Sequence, residues 1–293
     1  MTCRPRSVRP DMSVGVSIII PACNEEAHIA GCIDSLLEQD ISGDVQVVFA
    51  ANACRDATVE IISSYAEQFE AKGWTLTVLN LEQGGKTNAM NEGDAVATGE
   101  IRCYMDADLT LDPALFSQVR EILSVPEARY ASGTMVVSEA ESFVTRKFAK
   151  TWSELPFMKD SVPGAGLFCV NAAGRARWKT FPDTFSDDIY VRLLFAPAER
   201  FAVPARFYWP MAEGFYDLSR VRARQNAHVA DIHARYPELL GNEDATRPTI
   251  GRLVNIFFKM PVSFLTYCCV STYVKFGVSK DLKFRTQARR QNG

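Results

Sequence analysis

The chain has 293 residues, of which 47% are hydrophobic and 23% are charged, so it can bury a substantial core and disorder is not expected. Its net charge of −3 argues against a nucleic-acid-binding protein. The eight cysteines show neither zinc-ligand spacing nor the density of a disulfide scaffold, which favours a reducing cytosol.

The first part of the chain alternates β-branched apolar runs with amphipathic stretches. The opening run ends at Pro21 and is too short for a signal peptide or a membrane span, so it predicts a buried strand. Asn24 is placed to cap the helix that follows. Strands are predicted at 14–20, 45–51, 75–81 and 101–105, and helices at 25–38, 58–69 and 86–96. This alternation predicts an α/β domain with a largely parallel sheet and right-handed crossovers.

The pattern is less regular after Pro113. Strands are predicted at 130–138 and 167–170, a tight turn at 164–166, and helices at 143–157 and 189–195. Ligands of open α/β sheets bind at the carboxyl ends of the strands, and the polar motifs of this chain lie at such ends. The sequence therefore predicts a ligand site at one edge of the sheet.

Two carboxylates follow the strand at 101–105. Asp106 and Asp108 flank Ala107, so both leave the sheet at one edge, where they suit Mg²⁺ or Mn²⁺, which prefer carboxylate oxygen and keep positions for substrate phosphates. An acidic turn without a metal is the alternative.

Asp187 and Asp188 open the helix at 189–195, where one carboxylate can serve as a general base or both can stabilise the helix dipole.

Two further motifs suit a nucleotide. Gly84, Gly85 and Lys86 start the helix at 86–96 and supply free backbone amides, a positive helix end and a cation for a diphosphate. An ordinary turn with a solvated lysine is the alternative. After the second strand, the side-chain carbonyl of Asn52 is able to accept the imide proton of a uracil ring.

Taken together, these segments resemble the family 2 glycosyltransferases of the GT-A fold, from Val16 to about Phe195. The likeness lies in the order and spacing of VSIIIPACNEE at 16–26, VFAANACRDAT at 48–58, GKTNAMN at 85–91, MDAD at 105–108, GAG at 164–166 and SDD at 186–188. The second motif departs from the family, which has Asp where this chain has Ala51 and Asn52. Asp187 likewise stands where the family has Glu.

The resemblance implies a mixed, mostly parallel sheet flanked by helices, with Asp188 as the catalytic base and Asp187 beside it. The residues implied to bind the nucleotide sugar are Pro21, Ala22, Asn24, Glu25, Asn52, Gly85, Lys86, Asn91, Asp106, Ala107, Asp108 and Gly166. The implied metal ligands are Asp106, Asp108 and a histidine beyond the SDD element, for which His228 is the candidate. A surface histidine without such a role is the alternative.

The implied reaction transfers a sugar from a nucleoside-diphosphate donor, with UDP preferred to GDP, to an acceptor hydroxyl with inversion, assisted by Mn²⁺ or Mg²⁺. The acceptor is predicted to be a lipid-linked or cell-envelope glycan, as in polysaccharide biosynthesis, and the lipid-linked form follows from the C-terminal segment described below. A catalytically inactive nucleotide-sugar-binding scaffold and a GDP-sugar transferase with a soluble acceptor stay open as alternatives. Nucleotidyl transfer and dinucleotide-dependent dehydrogenation are disfavoured, because no glycine-rich loop follows the first strand.

Three parts are predicted: an N-terminal tail at 1–13, a GT-A catalytic domain at 14–215 and a helical extension at 216–293. Residues 249–278 are apolar and aromatic with scattered cations, and residues 279–293 are basic. This pattern favours helices that lie on an anionic membrane surface, at the inner face of the cytoplasmic membrane. Packing on the catalytic domain or on a second copy in a homo-oligomer is the alternative.

Overall fold

The computed structural model describes residues 14–184, 186–244 and 246–278, and the strands in this part of the chain form one eight-stranded sheet. The predicted tail at 1–13 lies outside the described residues. The strands are β1 Val16–Ala22, β2 Val45–Asn52, β3 Thr75–Leu81, β4 Ile101–Met105, β5 Thr110–Leu111, β6 Tyr130–Val137, β7 Leu167–Val170 and β8 Arg200–Trp209. Their order across the sheet is β3-β2-β1-β4-β7-β6-β8-β5.

Helices surround this sheet and continue beyond it. They are α1 Ile29–Leu37, α2 Thr58–Ser64, α3 Ala66–Ala71, α4 Lys86–Val96, α5 Leu115–Leu123, α6 Phe143–Trp152, α7 Pro156–Lys159, α8 Ala172–Arg175, α9 Asp187–Leu193, α10 Gly214–Arg235, α11 Ile250–Lys259 and α12 Pro261–Tyr273. Short 3-10 helices lie at Pro197–Glu199 and Pro237–Asn242, and a π-helical turn at Val274–Val278 follows α12.

The half of the sheet formed by β3, β2, β1 and β4 is parallel, as the alternating pattern predicts. Alternate residues of β1 belong to two separate cores, with Ile18 on one face of the sheet and Ile19 on the other. Helix α4 packs closely on the second face, because a Cβ atom at Gly93 would lie only 2.6 Å from Ile19 Cγ2. The carboxyl ends of these strands therefore meet at one edge.

The other half of the sheet is mixed. Strand β7 lies antiparallel between β4 and β6, and β8 runs parallel to β6. The pairing of β8 with β6 shifts from Gly133–Val203 to Thr134–Arg206, so Pro204 lies in a bulge where its missing N–H breaks no ladder bond. A proline within an alternating run hides a strand from sequence patterns, and β8 was accordingly not predicted.

The start of α1 differs from the prediction. Asn24 has a φ of 58°, and α1 begins only at Ile29, so the expected capping of this helix by Asn24 is wrong. The side-chain oxygen of Asn24 instead accepts a hydrogen bond from the Arg55 backbone N–H at 2.8 Å. Asn24 therefore holds the loop after β1 against the loop after β2.

Two predicted helices are divided in the structure. The segment 58–69 forms α2 and α3, which meet at Tyr65. The segment 143–157 forms α6 and the beginning of α7, which starts at Pro156. Proline fits the first turn of a helix and disfavours helical backbone in the residue before it, so it separates the two helices.

The C-terminal helices pack on the sheet domain through α6. The ring of Tyr267 on α12 stacks on Phe148 with 5.2 Å between centroids. Arg252 on α11 donates a hydrogen bond to the Glu154 carbonyl at 2.9 Å and pairs with Asp160. Among the described residues, no helix combines the length and the apolar character needed to cross a bilayer.

Candidate active site

Lys86 lies at the centre of the candidate site. It is the first residue of α4, and the preceding Gly85 has a φ of 126°, a conformation that glycine adopts readily. The Lys86 Nζ lies 2.7 Å from Asp106 Oδ1 and 3.1 Å from Asp187 Oδ1. Burial opposes the charge, but Asp106, Asp187 and Asp188 together raise the pKa of Lys86 well above its usual value. One ammonium group therefore joins carboxylates that are far apart in the chain.

The glycine loop before α4 is held by Asn52, at the end of β2. The Asn52 side chain is 3% exposed, accepts a hydrogen bond from Gly85 N–H at 3.0 Å and donates one to the Ala22 carbonyl at 2.9 Å. The Asn52 oxygen, which is predicted to accept a hydrogen bond from a uracil ring, thus already accepts one from the Gly85 N–H. Through these bonds Asn52 ties the end of β1 to the start of α4.

Three carboxylates lie close together at the ends of β1 and β4. Burial and the carboxylates of Asp106 and Glu25 raise the pKa of Asp108 to about 7. Burial followed by Asp106 raises the pKa of Glu25 as well. The Asp108 Oδ1 is buried and has no hydrogen-bond partner among the described residues. These groups repel one another and one oxygen is unsatisfied, so Asp106 and Asp108 are the candidates to hold a cation.

The predicted third metal ligand, His228, lies on α10. Burial and Arg224 lower the pKa of His228, while Asp231 opposes them. In the part of the chain that the structure describes, no three His, Cys, Asp or Glu side chains already form a metal cluster. A contact between His228 and a metal held by Asp106 and Asp108 stays a prediction.

Asp187 and Asp188, at the start of α9, have different environments. Asp187 is 2% exposed and pairs with Lys86, whereas Asp188 is only partly buried and accepts a hydrogen bond from the Ile189 N–H at 2.8 Å. Burial and the neighbouring Asp187 raise the pKa of Asp188 to about 7, although Lys86 opposes this. Asp188 is therefore the more accessible of the two and the better matched to proton transfer near neutral pH.

The turn at 164–166 brings the backbone close to this cluster. Both Gly164, with a φ of 60°, and Gly166, with a φ of 77°, are in the left-handed region. The Gly166 carbonyl accepts a hydrogen bond from Asp106 N–H at 2.8 Å. A Cβ atom at Gly166 would lie 3.2 Å from both Asp106 Oδ2 and Trp209 Cδ1. Glycine at 166 therefore keeps open the space between the carboxylate and the indole ring.

We expect Gly164→Ala to destabilise the protein strongly. A Cβ atom at this position would lie 1.7 Å from Tyr130 Oη, and the buried Tyr130 ring packs on Phe168 and Phe195, so it has little room to move. Strained backbone and overpacking together should lower the free energy of unfolding by about 3 kcal/mol, measured by urea denaturation. Gly241→Ala is the control, because a Cβ atom there meets nothing within 4 Å. Equal midpoints for the two variants would contradict the packing described here.

The remaining predicted site residues surround the same edge. Pro21 lines a small recess together with Lys86, Asp106, Gly166 and Asp187. Ala107 is 4% exposed and packs in the core. Asn91 exchanges two hydrogen bonds with the backbone of Phe181, at 2.7 and 3.3 Å. Asn91 thus fixes α4 to the loop that leads to α9.

One part of the site was missed by sequence reasoning. Trp209 ends β8 and lies against Gly166, and its ring packs on Trp152 of α6 with 5.8 Å between centroids. No motif marks either tryptophan. The signal that was available is the alternation of residues through β8, which Pro204 interrupts.

The architecture and the site together define a class of protein. The structure resembles that of a mannosyltransferase, PcManGT from Pyrobaculum calidifontis in complex with GDP-Man and Mn²⁺, with a TM-score of 0.59 and 21% identity, over 97% of this chain and 83% of that one. It also resembles TarS 1–349 of S. aureus in complex with UDP, with a TM-score of 0.53 and 15% identity, over 95% and 92% of the two chains. The fold is therefore the GT-A glycosyltransferase fold, with C-terminal helices added.

The family model described as "Glycosyl transferase family 2" matches residues 17–177, and the chain belongs to that family. An uncharacterized glycosyltransferase, EpsJ of Bacillus subtilis, is 34% identical over 106 residues, covering 36% of this chain and 29% of EpsJ. A dolichyl-phosphate beta-glucosyltransferase of Drosophila melanogaster is 28% identical over 158 residues, covering 50% and 48%. The chain spans about a third of the length of the first curated relatives it matches.

Proposed function

We propose that this protein transfers a sugar from a nucleoside-diphosphate sugar to an acceptor hydroxyl, with inversion at the anomeric carbon. The observation that carries this proposal is the difference in environment between Asp187 and Asp188, the two aspartates beside Lys86. Asp187 is buried and ion-paired, whereas Asp188, next to it, is more accessible and has a pKa of about 7. A carboxylate of this kind suits a general base, and a base that acts directly on the acceptor requires no covalent enzyme intermediate.

The donor diphosphate is proposed to lie at the other end of the cluster. The start of α4 offers backbone N–H groups and the Lys86 ammonium group, which suit phosphate oxygens. Asn52 is proposed to act by holding Gly85 in place for this contact. Pro21, Ala22, Asn24 and Glu25 are proposed to form the nucleotide loop, with UDP preferred to GDP.

Asp106 and Asp108 would hold Mn²⁺ or Mg²⁺ in this arrangement, with His228 as a proposed third ligand. The unsatisfied Asp108 Oδ1 and the raised pKa of Asp108 fit that assignment, because both are relieved by a cation. A bound divalent ion supplies charge stabilisation to the departing diphosphate. Two residues of the chain supply the other contributions. Asp188 removes the proton of the acceptor hydroxyl, and Lys86 contributes a fixed positive charge beside the leaving group.

Donor screening tests this function directly. Nucleotide sugars that bind the native state should raise its melting temperature in the presence of Mn²⁺, and the donor that binds should also be hydrolysed slowly or transferred. UDP-sugars are expected to give the largest shift. A larger shift with GDP-sugars would favour the alternative donor. Binding without turnover of any donor, across a panel of lipid and soluble acceptors, would favour the inactive scaffold.

The acceptor is proposed to be lipid-linked, because α11 and α12 expose a strongly apolar surface. Ile256 is buried in α11, whereas Ile250 and Phe258 are 82% and 77% exposed. Residues 246–278 contain four basic residues and no acidic one, against a net charge of −3 for the whole chain. Apolar side chains among cations suit an anionic bilayer surface. The basic residues of 279–293 that add to this prediction lie outside the described residues.

The double change Ile250→Ser and Phe258→Ser should weaken flotation with phosphatidylglycerol vesicles. Each large apolar side chain that leaves a bilayer forfeits about 1.5–3 kcal/mol, so the bound fraction should fall at least 10-fold. Val96→Ser is the control, because Val96 is also exposed, at 39%, but belongs to α4, which packs on β1 and β2. If the protein does not bind vesicles, and the parent is a dimer while the double variant is a monomer, a second copy covers this surface.

The division of the chain into a catalytic domain and a helical extension at 215/216 is also a proposal.

A further inference from the structure

The short helix α9, which carries Asp188, is held in place by contacts at both of its ends. It has seven residues. Because isolated helices shorter than about 12 residues are marginal in water, the position of α9 depends on tertiary contacts. At its first residue, Asp187 pairs with Lys86 of the candidate active site. The contacts along the rest of the helix come from a different part of the chain.

Residues 235–244, here called the brace, lead from the end of α10 toward α11 and lie along α9. Arg235, the last residue of α10, donates two hydrogen bonds to the Asp183 carbonyl in the loop before α9, both at 3.1 Å. The ring of Tyr236 packs on Tyr190 of α9 with 5.0 Å between centroids. The first part of the brace therefore contacts both the loop that enters α9 and the middle of the helix.

The last part of the brace contacts the end of α9. The Asn242 side chain donates a hydrogen bond to the Leu193 carbonyl at 2.9 Å. This bond satisfies one of the carbonyl groups that a helix end leaves without an intrahelical partner. The carboxylates of Glu243 and Asp244 both pair with Arg192, each at 2.5 Å. One segment of ten residues thus contacts α9 from its entry to its last turn.

Asp244 is the shared counter-charge of two buried arginines at this end of α9. The side chains of Arg192 and Arg200 are both 0% exposed, and both pair with Asp244, at 2.5 and 2.9 Å. The Arg200 Nε also donates a hydrogen bond to the Phe195 carbonyl at 3.1 Å. Burial and the nearby Arg192 lower the pKa of Arg200, and Asp244 opposes both effects. Because a buried guanidinium is costly without a counter-charge, loss of the Asp244 carboxylate should loosen the end of α9.

We propose that the brace positions the general base, with Asp244 as a positioning residue for sugar transfer. This inference rests on the proposed function, in which Asp188 takes the proton of the acceptor hydroxyl. Arg192 follows Asp188 by four residues, about one helical turn, so the two side chains project from the same side of α9. A displacement of the Arg192 turn therefore moves the Asp188 carboxylate, whereas Lys86, at the start of α4, is also held by Asp106.

Asp244→Asn tests this role because it keeps the size of the side chain and removes its charge. We expect kcat, expressed per donor-binding site counted by calorimetry, to fall about 10–100-fold, the effect of a displacement of about 1 Å in a catalytic group. Donor affinity should be unchanged. The rise of kcat/KM with pH, expected near pH 7 in the parent, should move to lower pH, because burial is the first cause of the raised pKa of Asp188.

Hydrogen exchange reports on α9 without requiring turnover. In Asp244→Asn the amides of residues 187–193 should exchange about 10-fold faster than in the parent or more, whereas those of residues 86–96 should be unchanged. Asn242→Ala removes the side-chain bond to the Leu193 carbonyl and is a milder second variant, which should change kcat and exchange in the same direction.

Asp217→Asn is the matched control, because it makes the same substitution in another aspartate that pairs with an arginine. Asp217 pairs with Arg220 at 3.0 Å, but both side chains lie on α10 and Asp217 is 65% exposed. An exposed pair of this kind contributes little to stability, so the variant should match the parent in kcat, in its pH profile and in the exchange of α9.

Parental exchange of α9 in Asp244→Asn would overturn the proposal, and so would a parental kcat per donor-binding site. Equal losses in Asp217→Asn would overturn it too. If Asp244→Asn does not fold, Asn242→Ala decides by the same two measurements. A parent that binds donors and transfers no sugar would contradict the proposed function instead, and the exchange of α9 would then decide by itself whether the brace holds that helix.

Discussion

Asp188→Asn should reduce kcat by about 10²–10⁴-fold, the contribution typical of a general base, while donor binding stays nearly unchanged. Asparagine keeps the shape of the side chain and can still accept a hydrogen bond from the Ile189 N–H, but it cannot take a proton from the acceptor. The measurement is steady-state transfer together with donor affinity by calorimetry. Asp183→Asn, in the exposed part of the preceding loop, is the control and should retain parental activity. Full turnover of Asp188→Asn would remove Asp188 as the base.

The pH dependence of the parent enzyme follows from the same residue. Because Asp188 acts as a base only when ionised and its pKa is about 7, kcat/KM should rise with pH through about 7 and then level off. The contribution of Asp188 to the stability of the folded state changes with pH in the opposite direction. The folded state holds the Asp188 proton up to about pH 7, whereas the unfolded chain releases it near 3.8, so this group's contribution to stability is lost as pH rises across that window. Asp188→Asn should flatten both profiles.

Lys86→Met should lower kcat by about 10²–10³-fold, as removal of a fixed charge-stabilising group does in other active sites. It should also weaken donor binding. Methionine fills the same space without the charge, so Asp106 and the buried Asp187 lose their shared cation. The pKa of Asp187 should then rise further, because Lys86 is the group that opposes the effect of burial there. Transfer kinetics and nucleotide calorimetry measure the two losses.

Lys150→Met on α6 is the control for Lys86→Met, because Lys150 is exposed at the end of that helix. It should leave both transfer and nucleotide affinity within about 2-fold of the parent, as surface substitutions usually do. If Lys86→Met bound the donor as tightly as Lys150→Met and turned it over equally fast, the central place of Lys86 in the site would be lost. A drop in binding with unchanged kcat would restrict Lys86 to holding the donor.

Most of the parallel half of the sheet was predictable because its signals are local. β1, β2, β3 and β4 are apolar runs bounded by turns, and each was predicted to within about two residues, the usual uncertainty of element ends. The aspartates that follow these runs had to reach one edge of the sheet, since parallel strands end together. β5 was not predicted because a strand of two residues shows no periodicity. β8 was not predicted because Pro204 interrupts its alternating pattern.

By itself the sequence determined the fold class, the family and the chain positions of the acidic and glycine motifs, because each depends on residues that are near one another in the chain. Tertiary contacts decided which carboxylate pairs with Lys86 and how far Asp188 is buried. They also decided which group donates a hydrogen bond to the Asn52 oxygen. The position of the Arg222 guanidinium over the Trp152 ring is likewise invisible in the sequence. Burial and charge proximity depend on distances in space between segments that are remote in the chain, and these distances set the pKa values on which the chemistry depends.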